Sequence, residues 1–91
     1  PVANLKSQIK RNRQNEKRRL RNRVYHGSTR IAIKNARVAL EAGNVEEARE
    51  ATMLAVSRLD KAAQKSVIHK KNASRRKGRL MKKLAQLEKE A

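Results

Sequence analysis

The sequence contains no cysteine, a single aromatic residue (Tyr25), one proline and three glycines. Without cysteine the chain cannot form a disulfide framework, a zinc knuckle or an iron–sulfur site, and it has no thiol nucleophile. No apolar run approaches the ~20 residues of a membrane span, and no signal-peptide core is present. We therefore expect no membrane contact, and a reducing cytoplasm or organelle matrix is the default compartment.

Acidic residues are also scarce, because 8 Asp and Glu stand against 25 Lys and Arg in 91 residues, for a net charge of +17. The charge is segregated: residues 1–30 carry +9, residues 31–64 carry five charges of each sign, and residues 65–91 carry +8. This separation favours a polyanion binder with a directed electrostatic surface. Disordered basic tails are the alternative, and the dominance of helix formers at both ends argues against them.

The composition predicts an all-α protein, because Ala, Lys, Arg, Glu and Leu dominate and no segment has the alternation of a strand. At the clearest break, Gly43 can end one helix in the left-handed conformation and Asn44 can cap the next. At a second break, Ser66 could cap a third helix whose first residues are Val67 and Ile68. We predict one helical domain over residues 1–91, with helices at about 5–42, 45–65 and 67–88.

Each predicted helix has apolar residues that can form the core, and those of the middle helix recur at spacings of three and four. The middle helix has a core seam of Val45, Ala48, Thr52, Ala55, Leu59 and Ala62, flanked by Met53, Val56 and Ala63. The third has a stripe of Ala73, Leu80, Leu84 and Leu87 with Met81 beside it, opposite a basic face. In the first helix, the residues able to pack against the other two are Ile31, Ile33, Ala36 and Leu40.

The start of the first helix differs from the rest, since residues 4–23 hold only Leu5, Ile9 and Leu20 as large apolar residues against nine Lys and Arg. A helix that is polar on all sides gains no tertiary packing, so this part is either frayed or held by a partner. A helix over residues 5–42 would be roughly 55 Å long and would outreach the others. The sequence predicts a three-helix bundle with a long, projecting basic N-terminal helix, whose basic extension comprises residues 1–23.

No catalytic constellation is present. His26 and His69 lie among basic residues without a carboxylate spaced to orient either of them. The acidic residues near the first break lack the spacing of a calcium-binding loop, and no glycine-rich phosphate loop exists. We expect a protein that is not an enzyme and that uses no small-molecule substrate, no cofactor and no metal. Two interpretations of each histidine remain open: it contacts a phosphate or base, or it lies solvated on its helix.

A nucleic acid is the polyanion that these features favour. A single aromatic argues against recognition by base stacking, whereas dense Arg and Lys favour contacts to phosphates and to RNA shape. A DNA-binding architectural or basic-region transcription protein is the alternative, because it also joins an Arg-rich helix to a packed segment. Such a transcription factor has a long apolar stripe that forms a zipper, whereas the apolar stripe after the basic part is short and rich in alanine here. A membrane-surface peptide would need bulky apolar residues opposite the basic face, and residues 4–23 lack them.

Two segments resemble a known family. Residues 3–7 (ANLKS) with residues 12–22 (NRQNEKRRLRN) resemble the opening of the small-subunit ribosomal protein twenty family of bacterial-type ribosomes. Residues 59–84 (LDKAAQKSVIHKKNASRRKGRLMKKL) resemble its second half, and LDKAA, VIHK, RRK and RL are the most specific parts. Ser66 stands where the family commonly has Gly, Gly78 replaces a usual Ser, and residues 24–28 match poorly.

The resemblance implies a three-helix bundle that binds 16S-type ribosomal RNA directly and supports assembly of the small subunit. Its implied partners are the 5′ domain and the long penultimate-stem region of that RNA, together with other small-subunit components. The implied location is the cytoplasmic ribosome or an organelle ribosome.

The candidate RNA-binding residues are the cations of the two basic ends and two neighbouring polar residues. The resemblance implies RNA contacts for Lys6, Lys10, Arg18, Arg19, Arg21, His69, Lys70, Arg75, Arg76 and Arg79. The charge pattern adds Arg11, Arg13, Lys17, Arg23, Lys71, Asn72 and Lys82.

Overall fold

The protein is elongated and helical in the computed structural model, which describes residues 2–90, with side chains from Leu5 onward. These residues form three α-helices and no strand: α1 (Val2–Ala42), α2 (Val45–Gln64) and α3 (Lys70–Glu90). Helix α2 packs against both others, while α1 and α3 contact each other less extensively. The described chain measures 68 × 20 × 13 Å, and α1 accounts for most of its length. The predicted all-α bundle with a long first helix is confirmed.

The turn between α1 and α2 has the predicted chemistry. Gly43 has φ +83°, the left-handed conformation that ends a helix and that glycine adopts without a Cβ penalty. The Oδ1 atom of Asn44 accepts the backbone N–H of Glu46 at 3.1 Å and of Glu47 at 3.3 Å. Asn44 is therefore the N-cap of α2, and the two glutamates lie at the positive end of that helix.

The turn after α2 contradicts the predicted role of Ser66. Instead of capping α3, Ser66 has φ +59° and ends α2. Its N–H donates to the carbonyl of Ala63 at 3.0 Å, and the N–H of Val67 donates to the carbonyl of Ala62 at 2.9 Å. These bonds form the C-terminal motif that normally contains a left-handed glycine. A serine can therefore adopt this conformation here because the turn satisfies two terminal carbonyls.

Helix α3 begins at Lys70, three residues later than the sequence predicts. His69 is its N-cap, because Nδ1 of His69 accepts the backbone N–H of Lys71 at 3.1 Å and the His69 carbonyl accepts from Ala73. Histidine is not among the preferred capping residues, so local sequence preferences favoured Ser66 over it.

The core is small and consists mainly of alanine. Its buried cluster comprises Ala32, Ile33, Ala36, Ala55, Leu59, Ala73 and Leu80. The predicted seam of α2 is confirmed, because five of its six residues are buried and Val45 is half-buried. Alanine lets the helices approach closely but contributes little apolar area, so the bundle has a limited hydrophobic stabilisation.

Three residues expected to pack are exposed. Ile31 is 62% exposed, because the buried face of α1 passes through Thr29, Ala32, Ile33 and Ala36 and leaves Ile31 on the opposite side. Met53 is 52% exposed, because α2 contacts its neighbours through the seam and through Val56 and Ala63, which are half-buried. Met81, beside the stripe of α3, is also 43% exposed. The remaining predicted core residues of α1 and α3 are buried or half-buried.

Candidate nucleic-acid interface

The first basic surface is the N-terminal arm, defined here as residues 5–21 of α1. Every side chain in the arm is exposed, and the first half-buried residue along the chain is Asn22. Its cations are Lys6, Lys10, Arg11, Arg13, Lys17, Arg18, Arg19 and Arg21. Glu16 is its single carboxylate, and it lies 3.6 Å from Nη2 of Arg19. An exposed ion pair of this kind contributes little to stability. Because one carboxylate stands against eight cations, the arm retains a strong positive field.

The cations of the arm surround the helix rather than forming one face. Successive residues of an α-helix are separated by about 100° around the axis, so Lys17, Arg18 and Arg19 alone span about 200°. No apolar face remains on which the arm could pack against the bundle. A polyanion can therefore approach the arm from several directions.

The second basic surface is the outer face of α3. Its exposed cations are Lys70, Lys71, Arg75, Arg76, Arg79, Lys82 and Lys83. Lys77 lies among them in sequence but is half-buried, and its Nζ pairs with Oδ1 of Asp60 on α2. On the same side of α3, Nε of Arg49 lies 3.1 Å from Oε1 of Glu88. These two pairs join α2 to α3, and the cations of the outer face are in neither of them.

Two candidate residues of this face have partners within the protein. Asn72 is half-buried, and its Oδ1 accepts from Nη2 of Arg75 at 3.4 Å. His69 caps α3 through Nδ1, although its side chain is exposed. In the observed geometry Asn72 orients Arg75, and His69 fixes the start of the helix on which the α3 cations lie.

Between α1 and α3 lies a groove of about 560 Å³. We call it the α1–α3 groove. One wall presents Arg30, Lys34 and Arg37 of α1, and the opposite wall presents Arg75, Arg76, Arg79 and Lys83 of α3. Its floor comprises Thr29, Ile33, Ile68 and Leu80, and His26 lies at one end. Among the described residues that line the groove there is no carboxylate.

The groove is continuous with the C-terminal end of the arm. A shallower depression is lined by Arg19, Asn22, Arg23 and His26, and His26 belongs to both depressions. The basic surface therefore runs from the α3 wall along α1 and onto the arm.

The structure brings together only part of the candidate set. Arg75, Arg76 and Arg79 share the groove, while the candidates from Lys6 to Arg23 lie along α1 outside it, apart from Arg19 and Arg23 at its extension. Lys70, Lys71 and Lys82 are exposed on α3 beyond the groove lining.

The wall residues on α1 were missed by the sequence reasoning. Arg30, Lys34 and Arg37 lie at spacings of four and three, beside the buried Thr29, Ile33 and Ala36. That spacing indicates one helix face. Counting charges by segment obscured this basic helix face, because Lys34 and Arg37 lie in residues 31–64, whose charges sum to zero.

Comparison with known proteins identifies the family. The sequence matches the model of the family described as Ribosomal protein S20 over residues 3–85. The chain belongs to the ribosomal protein S20 family. This confirms the resemblance to small-subunit ribosomal protein twenty. It also confirms that the chain is a structural ribosomal protein, located in the ribosome, and not an enzyme.

Individual S20 relatives match over almost their whole length. The small ribosomal subunit protein bS20 of Thermobifida fusca is 53% identical over 87 residues, covering 96% of this chain and 95% of that protein. The bS20 of Streptomyces avermitilis is 51% identical over 86 residues, covering 94% and 98%. The bS20 of Geobacillus kaustophilus is 51% identical over 83 residues, covering 91% and 93%.

Within residues 2–90, no three His, Asp or Glu side chains come together in a way that could hold a metal ion. None of the helices in that range has a stretch long and apolar enough to cross a membrane.

Proposed function

We propose that this S20-family chain is a component of the small ribosomal subunit that binds 16S-type ribosomal RNA directly and supports subunit assembly. Its relatives bear the name of a small-subunit protein and share about half of its residues over nearly full length. The observation that best supports direct RNA binding is that two sets of cations, on the arm and on α3, are exposed in a chain of net charge +17.

The proposed mechanism of RNA binding is contact between the basic side chains and the RNA phosphates. Arg and Lys that neutralise RNA phosphates release condensed counterions, and this supplies most of the affinity of such surfaces. The planar guanidinium of Arg binds two phosphate oxygens at once, whereas Lys acts as a point charge. Neutralised phosphates allow neighbouring RNA helices to approach each other. The proposed contribution to assembly is this reduction of repulsion between RNA helices.

The proposed contacts are the candidate residues on the two surfaces. The arm contributes Lys6, Lys10, Arg11, Arg13, Lys17, Arg18, Arg19 and Arg21, and Arg23 lies just beyond it on α1. The second surface contributes His69, Lys70, Lys71, Asn72, Arg75, Arg76, Arg79 and Lys82. For the RNA, we propose the 5′ domain and the long penultimate-stem region, as the family resemblance implies. Two basic surfaces, one on the arm of α1 and one on α3, are suited to contacting two RNA regions.

Equilibrium binding tests the proposal. The purified full chain is titrated onto transcribed small-subunit ribosomal RNA at several salt concentrations, and a duplex DNA of similar length serves as competitor. We expect tight, salt-dependent binding to the RNA that the DNA competes for poorly. Equal or tighter binding to the DNA would favour the architectural or transcription-factor alternative and overturn the proposal.

A further inference from the structure

We propose that the α1–α3 groove binds a single segment of RNA phosphodiester backbone between its two walls. This inference rests on the direct RNA binding proposed above and adds Arg30, Lys34 and Arg37 to the contact residues. The α3 cations of the second basic surface and the α1 wall would then contact the same RNA strand in the groove.

The distribution of the few carboxylates supports the proposal. The acidic partners at the α2–α3 side, Asp60 and Glu88, pair with Lys77 and Arg49. No ion pair found within the described chain includes a cation of the groove walls. Packing of the core thus holds three cations of α1 opposite four of α3 without a carboxylate between them. Their mutual repulsion opposes this arrangement unless a polyanion lies in the groove.

The shape of the groove favours backbone over a nucleobase. The floor residues Ile33 and Leu80 are only 8% and 4% exposed, and no Phe, Tyr or Trp is among the described residues that line the groove, so it offers no aromatic platform on which a base could stack. From His26 to Arg37 the α1 wall is about 16 Å long, enough to lie beside several consecutive phosphates. A single nucleotide would neutralise only a fraction of the wall cations. A continuous phosphodiester segment matches both the length and the charge.

Directed cleavage from the two walls tests whether they contact the same RNA segment. Because the chain has no cysteine, Lys34→Cys and Lys83→Cys each provide a unique attachment site for an iron chelate, on opposite walls. On small-subunit ribosomal RNA we expect both probes to cut overlapping nucleotides of one strand. Arg58→Cys, an exposed position of α2 outside the groove, should not cut that segment strongly.

The outcomes separate this inference from the proposed function. Cleavage of two distinct RNA segments by the two wall probes would overturn the groove inference while leaving direct RNA binding intact. If the unsubstituted chain fails to bind small-subunit RNA, the proposed function fails and this inference fails with it.

If an attached iron chelate itself weakens RNA binding, a comparison of two variants that each lose three positive charges tests the same inference. The groove variant carries Arg30→Gln, Lys34→Gln and Arg37→Gln, and the control carries Arg58→Gln, Lys61→Gln and Lys65→Gln on exposed positions outside the groove. We expect the groove variant to lose about tenfold or more in RNA affinity, with a salt slope lower by about 2. The control should lose much less.

The melting temperature of the groove variant without RNA should be unchanged or higher, because repulsion between the walls is relieved. Equal losses of affinity in the groove variant and the control would overturn the inference, since net charge alone would then explain binding.

Discussion

Thr52 lies in α2 with its side chain fully buried, and within the described chain its Oγ1 has no hydrogen-bond partner. A buried hydroxyl without a partner costs free energy, because it has lost its hydrogen bonds to water. This free-energy cost matters here because a core of mainly alanine supplies little hydrophobic stabilisation to offset it. This residue is therefore a position at which the stability can be raised without touching either basic surface.

Replacing the hydroxyl by a methyl should stabilise the protein. We expect Thr52→Val to raise the free energy of unfolding by about 1 kcal/mol, because valine has the same shape and no group to desolvate. Urea denaturation measures the change. The control Thr52→Ser keeps the hydroxyl and removes the methyl, and it should lower the stability. If Thr52→Val is the less stable of the two, the hydroxyl has a partner and this account of Thr52 is wrong.

The left-handed Ser66 gives a second prediction about a single residue. Its φ of +59° is unfavourable for a residue with a Cβ, whereas glycine adopts it readily. We expect Ser66→Gly to stabilise the protein by about 0.5–1 kcal/mol. Ser66→Ala should bring no such gain, because alanine keeps the Cβ. A loss of thermal stability in the glycine variant would show that the serine side chain contributes to the turn.

At the scale of helices, the arm and the bundle have separate roles. The arm makes no packing contact that buries a side chain, while the bundle is held by the seam of α2. Substitutions in the arm should therefore change binding, and substitutions in the seam should change stability. Two experiments test this separation.

The first experiment replaces Arg18, Arg19 and Arg21 together by alanine. We expect RNA affinity to fall by about tenfold or more and the salt slope to decrease, because up to three phosphate contacts are lost. The melting temperature should hardly change. Leu59→Ala is the comparison, since removing this fully buried side chain should cost about 2–5 kcal/mol. If the arm variant melts as early as Leu59→Ala, the arm is part of the folded core.

The second experiment follows backbone amides of residues 5–20 by hydrogen exchange. A helix without tertiary packing opens readily, so these amides should exchange rapidly in the protein without RNA. Binding to small-subunit RNA should slow them. Amides of α2 serve as the internal reference. Protection of the arm equal to that of α2 in the RNA-free protein would contradict the interpretation that a partner stabilises the arm.

Local patterns in the sequence were sufficient for much of the fold. The spacing of Ala48, Thr52, Ala55 and Leu59 predicts the buried face of α2 because it depends only on helical periodicity. Gly43 and Asn44 have conformational and capping preferences strong enough to define the first turn. Family membership and the class of function also followed from residues readable in the sequence.

Other features depend on how the helices meet. Ile31 and Ile33 lie about 200° apart around the axis of α1, and the sequence does not say which of these two sides the neighbouring helices cover; they cover the side of Ile33. At the second turn, Ser66 has the better capping preference, yet the chain uses His69. The groove was missed for the same reason, since Lys34 and Arg76 are far apart in sequence and face each other only after α3 has folded back along α1.

At the scale of the whole molecule, the shape follows from one long helix and a short bundle. The described chain is 68 Å long and at most 20 Å across, and its cations extend from the arm through the α1–α3 groove to the end of α3. Such a shape presents a large charged surface for a small core. A compact globular domain of the same length would bury more apolar area and reach fewer phosphates.

The central claim is that this chain contacts small-subunit ribosomal RNA directly. The most direct test is ultraviolet crosslinking in cell lysate, followed by sequencing of the nucleic acid that co-purifies with the protein under denaturing conditions. We expect recovery of small-subunit ribosomal RNA, crosslinked at a few defined segments. Recovery of chromosomal DNA, or of many RNAs without a preferred segment, would contradict it.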